Sequence, residues 1–175
     1  MINEDIMKRL ELVLFDFDDT LAVHTNHVSR PNEMYLNAVH DKNHDPWGTA
    51  AINKQLAIFM HRCVQEGKRV GLISAAESHL AGVRKVDWVK ANYNVICENF
   101  CIGEPEFKVQ EMRAIATVND LSPDQVAIID DYWLVLGSAA SEGFVACSPL
   151  EIVNFINEYP AEEDLKKTAV RLLCY

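Results

Sequence analysis

The sequence predicts an α/β fold, a three-layer sandwich with helices on both faces of a mostly parallel central sheet. Two observations carry this. Short apolar runs alternate with segments of helical period along most of the chain, the pattern of strands joined by right-handed helical crossovers. The first run, Leu12-Val13-Leu14-Phe15, contains no polar residue, as expected of a strand covered on both faces, and it leads into Asp16-Phe17-Asp18-Asp19-Thr20.

The later elements follow in order. Residues 50–65 carry Ile52, Leu56, Ile58, Phe59 and Cys63 at near-helical spacing, and Gly67 ends that helix. Residues 69–73 form a short apolar strand. Residues 77–92 are helical, with Leu80, Val83, Trp88 and Val89 expected on one buried side. A strand is expected at 95–101 and a helix at 106–118. Leu121-Ser122-Pro123-Asp124 makes a turn before a strand at 126–129. A helix at 132–141, a strand at 144–147 and a helix at 149–158 complete the series. The tail, 160–175, can add one more amphipathic helix. Residues 22–48 break the alternation: they are polar, rich in His and Asn, and hold Pro31 and Pro46. A long segment of this kind inside a compact domain reads as a functional loop or flap. The architecture is Rossmann-like, a single domain over 1–175 with a short flap after the first strand.

Bulk properties narrow the function classes. A chain of 175 residues can bury a full core as one domain. A formal net charge of −10 argues against a reader of nucleic-acid backbones, which needs a basic face. Cys63, Cys97, Cys101, Cys147 and Cys174 are odd in number, far apart and form no C-x-x-C pair, so free thiols in a reducing compartment are expected. The charged amino terminus lacks the apolar stretch of a signal peptide, and no run has membrane-spanning length. The expectation is a cytoplasmic protein, although a secreted effector without a cleavable signal would look the same. Neither partner chains nor oligomeric state can be read from the sequence.

The chemistry gathers at strand ends. Asp16, Asp18 and Asp19 follow the first strand, Ser74 the second, and Asp130-Asp131 the strand 126–129, while Lys108 opens a helix. In a parallel sheet all strand carboxyl ends share one edge, so these residues can converge. Clustered acids repel unless a cation neutralises them, which implies a divalent metal. Magnesium prefers oxygen ligands and keeps several waters, so two or three carboxylates suffice. A nucleophilic carboxylate, a hydroxyl, an ammonium and a metal together make a phosphoryl-transfer site.

The series Asp16-x-Asp18-x-Thr20, Ser74, Lys108 and Asp130-Asp131 resembles the motifs of the haloacid dehalogenase superfamily of phosphatases over residues from about Glu11 to Ser148. The resemblance implies a role for each position. Asp16 is the expected nucleophile and a magnesium ligand. Asp18 is the expected general acid and base, and offers its backbone carbonyl to the metal. Thr20 buttresses the turn and counts with Ser74 and Lys108 among the phosphate-binding residues. Asp130 ligates Mg2+ and Asp131 supports it. An acid at Asp18 implies phosphate-ester hydrolysis, since dehalogenase and ATPase relatives lack one there.

Blander readings stand beside these. Ser74 alone would be a helix N-cap, Lys108 a surface lysine and Asp130-Asp131 helix-capping acids. Asp19 reads as a solvated bystander. The spacing of His24, His27, His40 and His44 suggests zinc, but no cysteine or regular helix supports it. Trp47 and Tyr35 fit substrate contact or core packing equally, and Trp88 fits the core. Of Tyr132 and Trp133, one is expected to pack inward and the other to line the rim.

Between Thr20 and Ser74 lie 53 residues, and between Ser74 and Lys108 there are 33, too few in either place for an independent cap domain. An open site leaves water exclusion to a large substrate. The expectation is therefore a phosphoprotein carrying phosphotyrosine or phosphoserine, with a small phosphorylated metabolite or nucleotide as the alternative. A receiver domain is disfavoured because Lys108 precedes the acid pair, and a non-catalytic binding module because every motif is retained. A phosphotransferase remains open.

Overall fold

The computed structural model describes residues 2–23, 47–48, 50–76, 78–100 and 103–160. In chain order these form α1 (Glu4–Arg9), β1 (Leu12–Phe15), β2 (Ala22–Val23), β3 (Ala51–Ile52), α2 (Lys54–Gln65), β4 (Arg69–Leu72), α3 (His79–Tyr93), β5 (Glu98–Asn99), α4 (Lys108–Val118), β6 (Val126–Ile129), α5 (Trp133–Ser141), β7 (Val145–Cys147) and α6 (Pro149–Glu158). Single 3₁₀ turns at Pro105–Phe107 and Pro123–Gln125 lead into α4 and β6.

The main sheet runs β5-β4-β1-β6-β7, and every neighbouring pair is parallel. In register, Phe15 lies opposite Leu72 on one side and Ile129 on the other. Successive side chains of a strand point to opposite faces, and here both faces are buried. Val13 and Phe15 join Leu72, Ala127 and Ile129 in a cluster with Phe59 of α2, Val89 of α3 and Phe155 of α6. Leu12 and Leu14 join Val126 and Ile128 in a second cluster with Met112 of α4 and Ala139 of α5. Two covered faces explain the unbroken apolar runs of β1 and β6.

Helix ends follow their local chemistry. The side chains of Asn53, Ser78 and Ser148 accept from backbone N–H groups in the first turns of α2, α3 and α6. Gly67 has φ +77 just past α2, a conformation that costs glycine little. Gly71 answers a different need. A Cβ there would lie 2.7 Å from Leu14 Cδ2 and 2.8 Å from the Phe100 ring. Gly71→Ala is expected to destabilise the fold by about 1–3 kcal/mol through overpacking. Urea unfolding would measure it, and an unchanged midpoint would show that Leu14 and Phe100 yield.

Several sequence expectations need correction. The helix expected from residue 50 begins at Lys54, because Ala51–Ile52 pair antiparallel with Ala22–Val23 and Asn53 supplies the cap. That ribbon closes the base of the segment expected as a flap, whose residues 24–46 lie outside the described residues, with Tyr35 and the four histidines among them. The tail at 161–175 also lies outside them. The short α1 was not anticipated, although Asn3 caps it and Glu4, Asp5, Lys8 and Arg9 suit its dipole. On α3 the expected buried side holds for Trp88 and Val89 but not for Leu80 and Val83. Leu80 and Val83 are exposed, and the buried face is Ala81, Gly82, Lys85, Trp88, Val89 and Tyr93. Tyr132 and Trp133 both stay exposed, since Val135 and Ala139 are the residues of α5 that turn inward. Trp47 packs in the core, its ring edge-on to Phe17 at 5.1 Å. Among the described residues Cys63, Cys97 and Cys147 are free thiols, and no helix is long and apolar enough to cross a membrane.

Candidate active site

The strand ladders continue one residue past the strands and so place the site. The Asp16 N–H donates to the Ile129 carbonyl at 2.9 Å, the Ile73 N–H to that of Phe15 at 2.9 Å, and the Asp130 N–H to that of Cys147 at 3.2 Å. Asp16, Ser74 and Asp130 thus leave adjacent strands at the same carboxyl edge. The turn after β1 is tied to itself, with the N–H groups of Leu21 and Ala22 both donating to the Phe17 carbonyl. Asp19 occupies its left-handed position at φ 55, which Asp tolerates better than most residues.

Lys108, from the start of α4, closes the first half of the site. Its ammonium lies 2.7 Å from Asp16 Oδ1 and 2.7 Å from Asp130 Oδ2, and all three residues are buried. The other oxygen of Asp130 accepts from the Tyr132 N–H at 2.8 Å. Asp131, more exposed, accepts from the Thr20 hydroxyl at 3.2 Å. Thr20 is itself fully buried, and its carbonyl accepts from the Asn53 amide. The Thr20 hydroxyl is therefore spent on Asp131.

The charges in this half do not balance. Burial pushes the Asp16 carboxyl up to about 7, with Asp130 adding to the rise and Lys108 opposing it. Burial, reinforced by the Asp130 charge, raises Asp131 as well. Burial alone would lower Lys108, but Asp16 and Asp130 outweigh it and hold the ammonium above the ordinary lysine value. One ammonium cannot neutralise three acids, so the site favours an added cation. Carboxylate oxygens of Asp16, Asp130 and Asp131 come within 4.8 Å of one another. An all-oxygen set of this kind fits a hard dication such as Mg2+. The Asp18 side chain is outside this trio, so any part it takes in metal binding falls to its backbone carbonyl.

The second half gathers around Ser74. Ser74 is buried but does not cap α3; Ser78 does, accepting from the Ala81 N–H at 3.2 Å. The Ser74 hydroxyl donates to the Ala75 carbonyl at 3.3 Å and accepts from the Lys85 ammonium at 3.0 Å. The same ammonium meets Asp18 Oδ2 at 2.6 Å. Sequence reasoning missed Lys85 because the buried face of α3 was drawn through Leu80 and Val83. Drawn through Ala81, Trp88 and Val89, the same helix puts Lys85 at the centre of its apolar side. A lysine in that position was the available signal.

Asp16, Asp18, Thr20, Ser74, Lys108, Asp130 and Asp131 therefore meet at one sheet edge, in two lysine-centred groups joined by the turn Asp16–Thr20. No protein-family model matches the chain, and no curated relative does. Solved structures do. A hypothetical protein from Xanthomonas campestris is 21% identical, with a TM-score of 0.53 over 82% of this chain and 66% of its own. A Legionella pneumophila structure attributed to subfamily III A of the haloacid dehalogenase superfamily hydrolases is 14% identical, with a TM-score of 0.53 over 97% of this chain and 87% of its own. The cobalt-bound deoxy-D-mannose-octulosonate 8-phosphate phosphatase of Haemophilus influenzae is 17% identical, with a TM-score of 0.50 over 86% and 77%. The chain has the fold of the haloacid dehalogenase superfamily hydrolases.

Proposed function

We propose that the protein is a metal-dependent phosphatase that hydrolyses phosphate monoesters through a phosphoaspartyl intermediate on Asp16. The observation that carries this reading is the Lys108 ammonium clamped 2.7 Å from both Asp16 and Asp130, with Asp131 beside them. The fold shared with a cobalt-bound phosphatase supports it. A carboxylate oxygen of Asp16 attacks phosphorus, the phosphorus–oxygen bond to the leaving group breaks, and Asp18 gives its proton to the departing oxygen. Water then attacks the phosphorus of the acyl phosphate and passes a proton to Asp18. The bond to Asp16 breaks, its electron pair restores the carboxylate, and inorganic phosphate leaves. Ser74 and Lys108 contact the equatorial phosphoryl oxygens. Bound at Asp16, Asp130 and Asp131, Mg2+ supplies neutralisation of the phosphoryl charge.

Two substrate readings remain. The phosphoprotein expected from the short flap has no support among the relatives, whose named substrate is a sugar-acid phosphate. A small phosphorylated metabolite fits equally well. Tyr132 and Trp133, which follow the acid pair directly in the chain, are exposed, and the reading of a larger partner takes them as its contacts. Hydrolysis of an aryl phosphate is expected to need Mg2+, to stop in EDTA, and to fall by about 10²–10⁴-fold in Asp18→Asn. Full activity in EDTA would sink the metal assignment. A panel of phosphopeptides and sugar phosphates then separates the two substrate classes.

A further inference from the structure

Lys85 sits in the middle of α3 and is 1% exposed. Lysines on apolar faces normally run their ammonium out to water. This one is turned inward, and its three donors meet three acceptors: Asp18 Oδ2 at 2.6 Å, Ser74 Oγ at 3.0 Å and the Ala75 carbonyl at 2.6 Å. The ammonium also lies 5.3 Å from the centre of the Phe17 ring, which Trp47 and Trp88 hold edge-on. Asp18 is different in kind from these partners. Its side chain is 43% exposed at the rim of the site, where a carboxylate has several rotamers open to it.

We infer that Lys85 is a positioning residue for proton transfer, tethering the Asp18 carboxylate to the Ser74–Ala75 loop so that it faces the leaving-group oxygen. This rests on the phosphatase reading above. The tether joins the turn after β1, which carries the proton donor, to the loop after β4, which holds the phosphoryl group. Lys108 has the other task, on Asp16 and Asp130. Misplacing a reacting group by about 1 Å can cost about 10²-fold in rate. In kcat/KM, which reports formation of the phosphoaspartyl intermediate, the loss should appear only where the leaving group needs its proton. The later step, in which Asp18 takes a proton from water, is common to every ester.

The test compares the wild-type chain, Lys85→Met, Asp18→Asn and the double variant in Mg2+. Each is assayed on an alkyl phosphate and on 2,4-dinitrophenyl phosphate, whose phenolate leaves without help. Lys85→Met is expected to lower kcat/KM on the alkyl ester by about 10²-fold and on the dinitrophenyl ester by less than about tenfold. In the Asp18→Asn background it is expected to add no further loss. Equal losses of kcat/KM on both esters, no loss on either, or multiplying losses in the double variant would overturn the role of Lys85. A wild type inactive on both esters would overturn the phosphatase reading and this inference with it. If circular dichroism shows Lys85→Met unfolded, Lys85→Gln, a polar but shorter and neutral side chain that removes the ion pair to Asp18, carries the same comparison.

Discussion

Asp16→Asn is expected to lower kcat by at least about 10³-fold, because an amide oxygen is a poor nucleophile and cannot carry the acyl phosphate. The same substitution is expected to stabilise the metal-free protein as pH rises. Burial lifts the Asp16 carboxyl from 3.8 to about 7, so the folded chain prefers it protonated. A raised pKa contributes stability that is complete below 3.8 and is lost as pH climbs through about 7. At roughly 1.4 kcal/mol per unit, the wild type loses on the order of a few kcal/mol across that window. Asparagine stays neutral throughout. Thermal melts in EDTA should therefore show the variant and wild type close near pH 4 and the variant ahead at pH 8. A gap that does not widen with pH would contradict the burial of a charged Asp16. On the proposed reading, a nucleophile held in this way would trade stability for reactivity, and a bound dication would relieve the conflict.

Lys108→Met is expected to be the most destabilising single change in the site. Methionine keeps the unbranched shape of the lysine stem, one atom shorter, but leaves Asp16 and Asp130 facing each other without their shared ammonium. Removing one partner of a buried pair costs about 3–5 kcal/mol, and here two carboxylates lose it. Turnover should also collapse, since the phosphoryl oxygens lose their cation. Mg2+ should raise the melting temperature of the variant more than that of the wild type, because the dication becomes the only positive charge between those acids. An equal shift in the two proteins would argue against metal binding at this trio.

The sequence made the main sheet and the first half of the site legible for the same reason. Strands buried on both faces must be apolar throughout, so Leu12–Phe15 and Val126–Ile129 stand out, and the acids at their ends mark the sheet edge. Lys108 was legible only through its order between Ser74 and Asp130. The α3 face was misread because Leu80 and Val83 are apolar but face solvent, while a lysine occupies the interior. Hydropathy cannot tell a buried ammonium from an exposed one when its partners, Asp18, Ser74 and Ala75, come from the turn after β1 and the loop after β4. The expectation that one of Tyr132 and Trp133 packs inward failed in the same way, since nothing local reveals which residues of α5 meet the core.

The amino-acid sequence by itself determined the strand-helix order, and with it the set of acids, the hydroxyl and the lysine that share one edge. Periodicity and strand ends are local, and they survive without contacts. The tertiary structure alone decided how the charges are divided. Lys108 goes to Asp16 and Asp130, Lys85 to Asp18 and Ser74, and the Thr20 hydroxyl to Asp131. Pairings of this kind depend on which side chains meet across 67 or 111 positions of chain, and only packing in three dimensions fixes them.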